Sequence, residues 1–96
     1  MCDYKIDNEG NIIELHMHQA ELIFMAIFPE QLCLLKSLEV IRFPNNVIEF
    51  IPECIMNLKF LRVLDVSNFE GPTALIPDSI RSFIESLESY NEFYGH

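Results

Sequence analysis

"LRVLDVSNF", residues 61–69, places apolar side chains at its first, fourth and sixth positions: Leu61, Leu64 and Val66. That spacing is neither the helical period nor the strict alternation of a strand. The same placement occurs twice upstream. "LEVIRFPNN" at 38–46 carries Leu38, Ile41 and Phe43, and "IIELHMHQA" at 12–20 carries Ile12, Leu15 and Met17. The starts are 26 and then 23 residues apart. A second mark follows each stretch: "FPEQLCLL" at 28–35, "IPECIMNL" at 51–58 and "IPDSIRSF" at 76–83. Pro29, Pro52 and Pro77 are each followed by an acid, then by apolar residues three and six positions on. Those pairs are Leu32 and Leu35, Ile55 and Leu58, and Ile80 and Phe83. Two marks that keep one order through three units define an internal repeat.

These residues resemble the leucine-rich repeat family, in its LxxLxLxxNxL…IPxxIxxL form, over roughly residues 12–84. The first unit has Ala20 where the family has Asn, and an insertion around "IFMAIF"; the third has Phe69 there, and an insertion in "EGPTAL". The resemblance implies an α/β fold: a short right-handed solenoid with a parallel concave sheet and convex helical or 3-10 turns. It divides a single domain, 1–96, into an N-terminal hairpin or cap (1–11), repeats at 12–37, 38–60 and 61–84, and a C-terminal cap or tail (85–96).

The physical chemistry of the residues is consistent with that division. Positions 4 and 6 of each unit point one way across a strand and positions 3 and 5 the other. The first set is expected in the core: Ile41, Phe43, Leu64 and Val66 above all. Asn46 is expected to bond loop backbone groups that no sheet satisfies. The prolines are expected to open short helical turns, where a missing N–H costs nothing. No unit can bury its apolar side alone, so stacking supplies the stability.

A stack has two ends. At the front, "YKIDNEGNIIEL" alternates on both sides of "DNEG", which predicts a hairpin turning at Gly10, with residues 3–6 paired to the first repeat strand. At the back, Ile80, Phe83, Ile84, Leu87, Tyr90 (or alternatively Asn91) and Tyr94 fit an amphipathic helix over 79–94, with Asp78 as its N-cap. A rival comparison of "SLESYNEF" with "SLEVIRF" reads a fourth strand there. The helix is the preferred expectation.

The formal charge is −9, unevenly spread. Residues 1–35 hold six acids and one base, residues 36–69 four of each, and residues 70–96 five acids and one base. Such acidic ends speak against nucleic acid and against an anionic membrane as partners. Cys2, Cys33 and Cys54 form neither a paired framework nor a CxxC motif. Cys33 and Cys54 sit beside leucine or isoleucine, so they are expected to pack as small apolar thiols without a required disulfide. The polar, acidic start "MCDYKIDNEG" does not read as a signal peptide, and a reducing, cytoplasmic setting is expected.

Columns across the repeats define the candidate surface. Position 3 gives Glu14, Val40 and Val63, position 5 gives His16, Arg42 and Asp65, and position 2 adds Arg62. By resemblance this concave face binds another protein, with Arg42 at its centre, since Arg is enriched at binding hot spots. The simpler alternative is that Arg42 merely pairs with Asp65 across the strands. His16 and His18 share one side of a strand with Glu14 nearby, yet two solvated histidines is the better reading than a metal site. No GxSxG, phosphate loop or HExxH is present, so no catalysis and no cofactor is expected. The expected partner is a protein with a basic or mixed surface. The alternative is a truncated or accessory repeat segment that self-assembles, as a homodimer through a solenoid end, or docks onto a longer solenoid.

Overall fold

The computed structural model describes residues 2–17, 30–43, 50–68 and 75–93. Among these residues five strands form one sheet in chain order, β1 (Cys2–Ile6), β2 (Ile12–Met17), β3 (Val40–Arg42), β4 (Val63–Asn68) and β5 (Ser89–Phe93). Only β1 and β2 are antiparallel; the other neighbours run parallel. Parallel neighbours need a crossover. Here each described crossover includes a short 3-10 turn: Glu30–Leu34, Glu53–Asn57 and Asp78–Ile80, the last running into helix α1 (Arg81–Glu85). The three turns stack on one another in order.

The hairpin forms as its residues predict. Asp7 Oδ1 accepts hydrogen bonds from the Glu9 and Asn11 amides, each at 2.9 Å, and closes the turn. Gly10 completes it at φ +87°, a conformation that side chains disfavour. Tyr4 then pairs with Leu15, and Lys5 with Glu14.

Pro52 and Pro77 stand just ahead of their turns in extended conformation. Each gives its carbonyl to the third residue on: the Ile55 amide donates to Pro52 O, and the Ile80 amide to Pro77 O, both at 3.1 Å. The same bond recurs from Leu58 to Ile55 and from Leu61 to Leu58. A three-residue repeat of apolar side chains therefore lands on one face of a 3-10 turn. Asp78 is not the N-cap of α1; Ile80 holds that place, and Pro77 holds it for the preceding 3-10 turn, neither with a capping side chain. Asp78 Oδ1 instead lies 3.5 Å from Arg81 Nη2.

The core lies between the sheet and these turns. Leu15, Ile41 and Leu64 enter it from the strands, and Ile55, Ile80 and Ile84 from the turns and α1. Ile41, Phe43 and Leu64 are fully buried and Val66 nearly so, as the 1-4-6 spacing predicts. Ile12, Met17, Leu32 and Leu35 of the first unit are only partly buried.

The C-terminal segment corrects the preferred expectation. The α-helix spans only Arg81–Glu85, and β5 follows, parallel to β4. Ser86 ends the helix, its hydroxyl donating to Phe83 O at 2.6 Å. Tyr90 satisfies helical spacing on paper, but it takes the place beside Leu64 that a fourth strand requires. Asn46, Ala20, His18, Pro29, Phe69, Tyr94, the first insertion and all of the second but Leu75 lie outside the described residues.

Candidate interaction surface on the sheet

The register assembles the columns read from the sequence. Glu14, Val40 and Val63 stand abreast, and so do His16, Arg42 and Asp65. Leu15, Ile41 and Leu64, between these rows, point into the core, so the two rows lie on the opposite face. The hairpin widens the surface: Lys5 pairs with Glu14 and Asp3 with His16. On the other side β5 brings Ser89 beside Val63. Lys5 and Asp3 were legible from the hairpin parity. Ser89 was legible only from the fourth-strand comparison.

Val40 and Val63 require a correction. They are 3% and 7% exposed, yet neither belongs to the core cluster. They are buried within the outer face and offer a partner almost no surface. Arg42 is exposed, whereas His16 and Asp65 are half-buried. The usable surface is therefore the second row, flanked by charged pairs.

Three such pairs are well defined. Glu14 Oε1 and His16 Nε2 are 3.1 Å apart, and Lys5 Nζ lies 3.9 Å from Glu14 Oε2. The hydrogen bond from His16 is the main reason that the Glu14 carboxyl sits below its ordinary pKa, with the charges of Lys5, His16 and Arg62 adding to it. Partial burial works against that shift. On the next row Arg62 Nε meets Glu39 Oε1 at 3.5 Å, and the Arg62 amide donates to Glu39 O at 2.9 Å. Asp3, Tyr4, Lys5 and His16 line a shallow open hollow of about 270 Å³ at the hairpin end of the face.

Among the described residues no group of three His, Cys, Asp or Glu is placed to hold a metal. Among them, too, no helix is long and apolar enough to cross a membrane.

On the far side of the molecule Cys33 and Cys54 are joined as a disulfide, their Cα atoms 5.9 Å apart. This overturns the expectation of two unlinked apolar thiols. The 3-10 turns that hold them stack against each other, an adjacency that the linear spacing of 21 residues does not reveal.

Comparison with known proteins finds no matching family model, no matching curated protein and no matching solved structure.

Proposed function

We propose that the chain is a short leucine-rich-repeat module, a right-handed solenoid whose concave sheet face binds another protein without catalysis. What carries this reading is the row His16, Arg42 and Asp65, aligned across three parallel strands with Arg42 exposed at its middle. Aligned, differently charged side chains on a rigid sheet suit recognition, because the backbone has already fixed their spacing. Glu14 and Arg62 flank the row as charged neighbours. The acidic ends favour a partner with a basic or mixed surface, drawn in faster at low salt. Nucleic acid and anionic membranes fit the charge poorly. The cytoplasm remains the proposed setting, although the disulfide favours a more oxidising one.

The experiment compares Arg42→Glu with Lys36→Glu and Lys59→Glu, both lysines being exposed. Partner capture from native lysate, quantified against chains of equal stability, should fall by roughly 1–3 kcal/mol for Arg42→Glu. The two lysine variants should bind nearly as before. Equal losses in all three would move the surface off the sheet.

The second reading, an accessory segment that self-assembles or docks onto a longer solenoid, draws on β5 being the last strand of the described sheet. Strand edges recruit further strands. Sedimentation across a hundredfold concentration range separates the two: a monomer throughout removes the self-assembling form.

A further inference from the structure

The Cys33–Cys54 bridge lies away from the proposed binding face, yet it encloses the strand that carries that face's centre. Between the two cysteines run Leu38, β3 with Ile41 and Arg42, then Phe43 and Ile51. Leu38, Ile41, Phe43 and Ile51 are all fully buried. β3 is the middle strand of five. The bridge therefore closes a loop around the most central part of the molecule, and it ties together the 3-10 turns of the first two units. Closing a loop of this size corresponds to on the order of 100-fold in the folding equilibrium.

The two sulfurs differ in access. Cys33 is 4% exposed, while Cys54 is only half-buried. A small thiol can reach Cys54 first. The neighbours Leu32, Leu34 and Ile55 are apolar, a setting in which a reduced cysteine packs as a small hydrophobe.

We propose that Cys33–Cys54 is a reversible thiol–disulfide switch that sets the rigidity of the central strand β3. A thiolate of a small dithiol attacks Cys54 Sγ, and Cys33 Sγ leaves as a thiolate that takes a proton from water. The reagent's second thiolate then attacks its own sulfur in the mixed disulfide. Cys54 leaves and is protonated, and the dithiol departs as a cyclic disulfide. Two electrons and two protons pass to the protein. A small-molecule disulfide such as oxidised glutathione reverses the exchange. With the bridge closed, β3 opens rarely; with it open, the strand that positions Arg42 opens about 100-fold more often. The inference does not depend on any partner at the sheet face.

The test uses the full chain, air-oxidised, then treated with dithiothreitol, then returned to oxidised glutathione. Alkylation read by peptide mass spectrometry reports each cysteine, and amide hydrogen exchange reports Phe43, whose N–H donates to Asp65 O at 2.7 Å. Cys33 and Cys54 should resist alkylation before reduction and accept it afterwards. The Phe43 amide should exchange about 100-fold faster in the reduced chain. The far-ultraviolet signal should be kept, and slow exchange should return on reoxidation. A Cys33→Ser, Cys54→Ala double variant should exchange like the reduced chain and ignore dithiothreitol. Alkylation of both cysteines before any reductant overturns the proposal. So does unchanged Phe43 exchange on full reduction, or a loss of sheet that reoxidation does not reverse.

Discussion

Tyr90 stands beside Leu64 in the parallel ladder of β4 and β5, extending by one place the line that runs from Leu15 through Ile41. The C-terminal segment thus covers the last unit by adding a strand, not by laying a helix across it. Stopping the chain after Asp78 should remove α1 and β5 together and uncover Leu64, Val66 and the edge of β4. Exposed edges and apolar patches promote association. Light scattering after size exclusion should show the shortened chain as oligomer or aggregate. A stable monomer would mean that the segment is dispensable.

Phe43 is fully buried at the end of β3. Phe43→Ala should cost roughly 3 kcal/mol or more through the cavity it leaves. In a domain this small that is a large share of the total. Equilibrium urea melts would read the loss as a lower midpoint, and an unchanged midpoint would contradict the packing described.

The Glu14 carboxyl is held below its ordinary pKa chiefly by the His16 hydrogen bond. A carboxylate with a depressed folded-state pKa stabilises above its unfolded value, and the contribution is lost as pH falls through the folded one. Stability should therefore drop below about pH 4. Urea midpoints at descending pH should fall less steeply in Glu14→Gln than in the parent chain. Asp7, held low first by the backbone hydrogen bond from Asn11, contributes in the same direction. A combined Asp7→Asn and Glu14→Gln variant should be flatter still.

Arg62 and Glu39 are paired at 3.5 Å, but their side chains are 42% and 39% exposed. Exposed pairs are worth ~0.2–1 kcal/mol after screening. A double-mutant cycle with Arg62→Ala and Glu39→Ala should give a coupling in that range, shrinking as salt is added. A coupling of several kcal/mol would place the pair in a far drier setting.

Gly10 has open space where a Cβ would go, so only its backbone resists substitution. Gly10→Ala should cost about 1–2 kcal/mol from the positive φ alone. Thermal melts would show this, and Gly10→Asn should cost less, because Asn tolerates that conformation better.

Two recurring marks in the sequence, the 1-4-6 apolar spacing and the proline with its three-residue stride, determined which residues face the core and which stand abreast. They could do so because each is a local constraint. Strand parity decides the face of Leu64 within its own unit, and a proline stops the preceding segment whatever lies elsewhere. The tertiary structure alone decided three further points. Residues 89–93 became a strand because β4 offered an edge to pair with, a demand that outweighs a helical period in the segment itself. Cys33 met Cys54 because stacking brought two turns together from 21 residues apart. Val40 and Val63 sank out of reach on the outer face, since exposure depends on what neighbouring strands place around a side chain and not on the parity that points it outward.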